Sequence, residues 1–161
     1  AMTGFGERDR ERLTQAAAFG VDLVIDVATE DPARALKQAT GGLADVVVDV
    51  TAKAPSAFAQ GVALARPGAT MVVAGTRGGG GAPGFEPDHV VYKELRVIGS
   101  LGVDYPAYRA AVDLLASRRW PFEQLSRRVV GFDDLPALLD VMSGADTSTT
   151  PPLHGVVTPP A

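Results

Sequence analysis

Residues 41–52 read GGLADVVVDVTA and decide the fold. Within them, VVVDV at 46–50 is a short apolar run rich in β-branched side chains, and a polar turn follows it. Such a run predicts a strand buried in a parallel sheet. LVIDV at 23–27 has the same pattern, and a helix-forming stretch at 31–42 separates the two runs. The order strand, helix, strand predicts a right-handed βαβ crossover.

The same alternation continues in both directions along the chain. Strands separated by helices of about ten residues predict a doubly wound α/β fold built on a parallel sheet. The further elements predicted in this part are a helix at 7–19, a helix at 56–65, a strand at 71–75 entered through a turn at 66–68, and a strand at 95–100.

The regular alternation ends after Gly102. We therefore expect two parts, residues 1–102 and an α+β appendage at residues 103–161. Trp120 and Phe122 in the appendage are predicted to anchor its packing. The appendage is predicted to contain a helix at 105–118, a strand at 127–131, a helix at 133–143 and a strand at 154–158.

Composition excludes several classes of protein. The 161 residues carry a net charge of -4 with scattered basic residues, which argues against a nucleic-acid partner. Without cysteine the chain has no thiolate nucleophile and no cysteine-based zinc site, and its histidines, His89 and His154, are far apart in sequence. No apolar run approaches the ~20 residues of a membrane span. We expect a cytoplasmic protein.

Five phrases of the sequence together resemble a known family. They lie at 19–32, 41–52, 65–78, 93–102 and 154–159. Their order and spacing are similar to the coenzyme-binding half of the medium-chain dehydrogenase/reductase family, of the zinc-dependent alcohol dehydrogenase kind. The resemblance covers essentially the whole chain. An unrelated doubly wound domain is the alternative, because this fold hosts many functions.

The resemblance implies a partial Rossmann domain at residues 1–102, without its first strand and glycine-rich turn. Residues 103–161 would be the segment that in the family returns to the catalytic domain. Met2–Gly4 would correspond to the very end of the second strand of the Rossmann domain. With the first two strands missing, we expect the strand at 23–27 to pair directly with the strand at 46–50, or the chain to associate with another copy.

The function implied is that of an oxidoreductase fragment. The parent would transfer a hydride between NAD or NADP and a small alcohol or carbonyl substrate, with zinc bound only in the other half. We expect the chain alone to bind the cofactor weakly or not at all, to be inactive, and to form a homo-oligomer. The alternatives are a non-catalytic, truncated, Rossmann-like oligomeric protein and a zinc-free relative of the quinone-reductase type.

The resemblance assigns no catalytic and no metal-binding residue to this chain, but it does imply contacts with the cofactor. Thr51 and Ala52 would border the adenine. Ala74, Gly75 and Thr76 would contact the nicotinamide carboxamide, with Gly99 and Ser100 beside the same ring, and His154 would reach the pyrophosphate. Tight turns that need small residues, and a surface or packing role for the histidine, are the alternatives.

The choice between NAD and NADP stays open. In the family, the residue that bonds the adenosine ribose lies at the end of the second strand. That position falls near Gly4 or Phe5 here, and neither is acidic. Arg8, Arg10 and Arg12 follow, and they would suit a 2′-phosphate or form exposed ion pairs along a helix.

Two other features are assigned no chemistry. The glycine-rich run at 77–84 lacks the Lys-Ser/Thr of a phosphate loop, and we expect a mobile loop. Asp49 and Asp26 are interpreted as isolated carboxylates, without the second group that acid/base catalysis needs.

Overall fold

Parallel strands alternate with helices in the computed structural model, which describes residues 1–52 and 54–159. The strands are β1 (Met2–Gly4), β2 (Val24–Asp26), β3 (Ala44–Asp49), β4 (Ala65–Val73), β5 (Arg96–Gly99), β6 (Arg127–Val130) and β7 (His154–Val157). The helices are α1 (Gly6–Ala16), α2 (Pro32–Thr40), α3 (Ala57–Leu64), α4 (Asp88–Tyr92), α5 (Tyr105–Ala116) and α6 (Leu135–Ser143), with short 3-10 turns at Ala17–Phe19 and Phe122–Gln124.

The strands form three parallel sheets. β1 pairs with β2, the next three strands form a sheet in the order β3-β4-β5, and β6 pairs with β7. The α/β class with parallel strands, predicted from the alternating pattern, is confirmed. Each predicted strand lies within a few residues of its expected position.

The predicted direct pairing of 23–27 with 46–50 is wrong in the described part of the chain. β2 pairs with β1, where Met2 lies opposite Val24, and β3 pairs with β4. The physical reason is that α1 folds β1 back alongside β2, so the chain supplies its own neighbour for that strand. The resemblance placed Met2–Gly4 at the end of a strand, and these residues do form a strand beside β2.

The turn predicted at 66–68 is also corrected, because β4 begins at Ala65. Gly68 adopts a φ of +75°, which glycine tolerates, and its N–H donates to the carbonyl of Lys93 at 2.7 Å. The Lys93 ammonium in turn donates to the carbonyls of Val62 and Ala65 at 2.8 and 2.9 Å. Burial lowers the pKa of Lys93. Its ammonium caps the carbonyls at the end of α3.

Local chemistry also explains helix α2. The Asp31 carboxylate accepts a hydrogen bond of 2.7 Å from the N–H of Arg34, and Pro32 occupies the first helical turn. Gly41, with a φ of +79°, ends the helix. The helix buries Leu36 and packs against α3.

The appendage contacts the first part through aromatic rings. Trp120 stacks on Phe19 with 6.5 Å between ring centroids, and Phe122 meets the same ring edge-on at 5.4 Å. The anchor therefore joins the appendage to the end of α1, whereas the sequence suggested packing among appendage elements. By contrast, every residue of α5 is exposed.

Candidate functional site

The turns that follow β3, β4 and β5 lie at one edge of a single sheet. Asp49 pairs with Val73, and Val73 pairs with Gly99, so the three strands end level with one another. The N–H of Ser100 donates to the carbonyl of Val73 at 2.9 Å. Carboxyl ends of parallel strands are where open α/β sheets bind ligands. The predicted turn residues, from Thr51 to Ser100, are thus placed along this edge.

Two of these turns touch each other directly. A Cβ atom added at Gly75 would lie 2.3 Å from the carbonyl oxygen of Thr51, closer than any side-chain carbon approaches an oxygen. Glycine at this position is therefore required by the close approach of the two backbones. Thr51, Ala52, Ala74 and Thr76 remain exposed around the contact. Their side chains are therefore accessible to a ligand.

Asp49 is the residue that holds the two turns in place. Its side chain is buried, with 5% exposed, at the end of β3. One carboxylate oxygen accepts a 2.9 Å hydrogen bond from the N–H of Thr51, while its backbone carbonyl accepts from Ala74 and Gly75 at 2.8 and 3.0 Å. The other carboxylate oxygen pairs with the guanidinium of Arg77.

Arg77, the partner of Asp49, also packs against an aromatic ring. Its side chain is 12% exposed and lies over the ring of Phe58, 5.6 Å from the centroid. Phe85 meets Phe58 edge-on at 4.8 Å, so the glycine-rich loop folds back over the start of α3. Among the described residues, the Nε of Arg77 is a buried donor without a partner.

The carboxylate of Asp49 is a structural group in this site. Its oxygens accept hydrogen bonds from a backbone N–H and from a guanidinium, and the residue is only 5% exposed. A general base has to reach the substrate. Asp49 therefore positions the turns and is not placed to move a proton. The sequence indicates no partner for Asp49, because Arg77 lies 28 positions further along the chain.

His154 lies in a different sheet from the turn residues. It begins β7, where it lies opposite Arg127 in the sheet of β6 and β7, and its N–H donates to the carbonyl of Ser126 at 3.1 Å. Its side chain is exposed. The structure thus brings together the turns of the three-stranded sheet, while His154 belongs to another sheet.

Two of the three arginines of α1 are engaged in ion pairs. Arg10 pairs with Glu7 in an exposed position, and Arg12 pairs with Asp9 at 2.7 Å in a partly buried one, each three positions apart. This geometry favours the ion-pair interpretation of the basic residues.

No group of three or more His, Asp or Glu side chains within residues 1–52 and 54–159 is arranged to hold a metal ion. The residues described here therefore do not fit a zinc site. None of the helices in the same part of the chain has the length and apolarity to cross a membrane.

Comparison with known proteins now assigns the family. Residues 6–117 match the model of the zinc-binding dehydrogenase family, so the chain belongs to that family. Probable alcohol dehydrogenases from two strains of Mycobacterium tuberculosis, CDC 1551 and H37Rv, are 63% identical to it over 159 residues. These matches cover 98% of this chain and 43% of each relative. The chain therefore spans less than half the length of those relatives.

Solved structures share the fold at lower identity. The benzyl alcohol dehydrogenase of Acinetobacter calcoaceticus is 24% identical with a TM-score of 0.72, and the match covers 92% of this chain and 40% of that one. A short chain alcohol dehydrogenase from E. coli CFT073, complexed with NADH, is 21% identical with a TM-score of 0.68, covering 88% and 40%. At these identities the likeness concerns the fold.

Proposed function

We propose that this chain is the coenzyme-binding part of an NAD(P)-dependent oxidoreductase that acts on an alcohol or carbonyl substrate. The observation that carries the proposal is the 63% identity, over 98% of the chain, to probable alcohol dehydrogenases. The complex of a structural neighbour with NADH supports a nicotinamide cofactor. When bound, that cofactor accepts a hydride from an alcohol or donates one to a carbonyl.

The residues of this chain would hold and orient the cofactor. The exposed turn at Thr51 and Ala52 would contact the adenine, and the turn at Ala74–Thr76 would present backbone groups to the nicotinamide carboxamide, beside Gly99 and Ser100. The Asp49–Arg77 pair holds the turns after β3 and β4 against each other. His154 remains a proposed contact of the pyrophosphate.

The chain alone is proposed to be inactive. Hydride transfer requires the cofactor to be aligned with a substrate whose oxygen is polarised, and the described residues provide neither a metal site nor a free acid at the turns. Residues 103–161 are proposed to meet the catalytic domain of the parent.

Titration of the labelled chain with millimolar NADH, followed by NMR, tests the coenzyme site. We expect weak binding in which the amide signals of the three turns shift together. Ala52→Asp should abolish these shifts by placing a carboxylate beside the bound cofactor, while Ala39→Asp on α2, which is also exposed, should not. Shifts confined to other regions, or identical titrations of the two variants, would refute the assignment.

Activity is tested by absorbance at 340 nm over a panel of alcohols and aldehydes, with zinc added. Because the alignment of cofactor and substrate supplies much of the rate, we expect no turnover by the purified chain. Turnover that survives a contaminant control would contradict the claim that the chain is inactive alone.

A further inference from the structure

The loop between α6 and β7 lies beside helix α1. A cavity of about 380 Å³ is lined by Glu7 and Arg8 of α1 and by loop residues from Gly144 to Pro151. A second cavity, also of about 380 Å³, is lined by α1 residues that include Arg10, and by Thr150. Of the loop residues, Thr150 is the one that lines both cavities. Its hydroxyl group is therefore placed between the two arginines of α1.

Thr150 is also accessible from solvent. It lies in neither a helix nor a strand, and its side chain is exposed. Pro151 follows it, and a residue before proline is confined to extended backbone. The start of the loop is fixed by Asp146, whose carboxylate accepts a 2.8 Å hydrogen bond from the N–H of Ser148. An enzyme that modifies hydroxyl groups in extended segments could thus reach Thr150.

Arg8 and Arg10 can both bind an additional anion. Arg8 is exposed and forms no ion pair within residues 1–52 and 54–159. Arg10 pairs with Glu7, but both side chains are more than 70% exposed, and such pairs contribute little to stability. A phosphate ester carries a charge of about −2 at neutral pH and bonds guanidinium groups in pairs of parallel hydrogen bonds. It would therefore compete successfully with Glu7 for Arg10.

We propose that Thr150 is a phosphorylation site and that its phosphate binds Arg8 and Arg10. The donor is a nucleoside triphosphate held by a protein kinase for which this chain is the substrate. The Oγ1 of Thr150 bonds to the γ-phosphorus while the bond from that phosphorus to the β–γ bridging oxygen breaks. The nucleoside diphosphate leaves with this oxygen, and the hydroxyl proton passes to the catalytic aspartate of the kinase. The phosphate then joins the appendage to α1, whether or not the chain binds a coenzyme.

The acidic groups near this site explain why it needs two cations. Glu7, Glu11 and Asp146 line the same two cavities and repel a phosphate. The hydroxyl groups of residues 147–149 line only the first cavity, where Arg8 is the one cation among the lining residues. Thr150 lines the cavities of both arginines, so a phosphate there gains the most attraction.

Phosphorylation of the full chain by a proline-directed serine/threonine kinase with magnesium ATP tests the site. Mass spectrometry should locate one phosphate on Thr150. Thr150→Val should remove it, whereas Thr149→Val should keep it. Thr149 is the matched control because it is exposed in the same loop but is not followed by proline.

Amide exchange measured by NMR tests the contact with α1. When Thr150 is phosphorylated, exchange at residues 147–149 should slow by about tenfold, because the phosphate holds the loop in place. The double variant Arg8→Gln/Arg10→Gln should show no slowing. Arg34→Gln on α2, which changes another exposed arginine, should behave like the parent chain. Phosphothreonine encoded at position 150 supplies the modification to any variant that the kinase does not accept.

Two outcomes overturn the proposal. The first is that the kinase leaves Thr150 unmodified in the parent chain, whether or not it modifies other hydroxyl groups. The second is that phosphorylation of Thr150 leaves exchange in the loop unchanged, or slows it equally in the double arginine variant. The phosphate would then remain in solvent without binding α1.

Discussion

Asp49 and Arg77 show how one pair of side chains can shape a site without touching a ligand. The pair is buried, and both side chains bond to the turns that follow β3 and β4. Desolvating two charges is costly, so a pair of this kind is stable only when each partner stays in place. Its contribution lies in fixing the geometry of Thr51 and Gly75.

Removing one partner should therefore lower the free energy of unfolding. Arg77→Met leaves the Asp49 carboxylate buried without its cation, and we expect the free energy of unfolding to fall by about 3 kcal/mol. Urea denaturation measures this value. Arg109→Met is the control, because it removes an exposed pair with Asp113 that should contribute about 0.5 kcal/mol or less. Equal losses in the two variants would contradict a stabilising role for the buried pair.

The turn residues could be located from the sequence, but the contact between Asp49 and Arg77 could not. Each turn follows an apolar run, and the run alone locates the carboxyl end of a strand. The Asp49–Arg77 contact depends on the alignment of β3 with β4 and on the path of a glycine-rich loop, neither of which is encoded locally. His154 illustrates the same limit, since its position in a strand was predictable but the sheet to which that strand belongs was not.

At the scale of elements, Asp26 joins β2 to the start of α1. Its carboxylate accepts hydrogen bonds from the N–H of Gly6 at 2.7 Å and of Ala28 at 2.9 Å. The bond from Gly6, and then the bond from Ala28, lower the pKa of Asp26, and these effects outweigh desolvation. The carboxylate is thus a link between the first two strands and the helix that connects them.

This link predicts a dependence of stability on pH. Because the pKa of Asp26 is lower in the folded state, its contribution is complete above the unfolded value of about 3.9 and is lost as pH falls through the folded value. Urea midpoints between pH 6 and pH 3 should fall less steeply for Asp26→Asn than for the parent chain. Asp22→Asn, an exposed change outside this turn, should follow the parent. If the urea midpoints of all three proteins changed in parallel with pH, the proposed contribution of the Asp26 hydrogen bonds to stability would be wrong.

The pattern of elements was largely readable from sequence because apolar runs and helix caps are local signals. Local signals do not indicate β1, because the three residues Met2–Gly4 carry no periodicity; only the resemblance placed them at the end of a strand. They become a strand only through α1, which brings them beside β2. The pairing of the sheets was mispredicted for the same reason.

For the whole molecule, the uncovered apolar surface of α5 is the feature with the largest consequence. Tyr105, Tyr108, Val112 and Leu115 recur at intervals of three or four positions and so form one face of the helix. All of them are more than half exposed, from 54% for Leu115 to 76% for Tyr105. A contiguous apolar face of this kind marks a surface for association.

We therefore predict that the purified chain self-associates reversibly through α5. The weight-average sedimentation coefficient should rise with concentration, and the double variant Tyr108→Lys/Leu115→Lys should suppress the rise because two cations interrupt the apolar face. Ala110→Lys places a lysine on the opposite face of the same helix, so it should associate like the parent chain. A sedimentation coefficient that is independent of concentration, or an Ala110→Lys variant that loses association to the same extent, would show that this face does not mediate self-association.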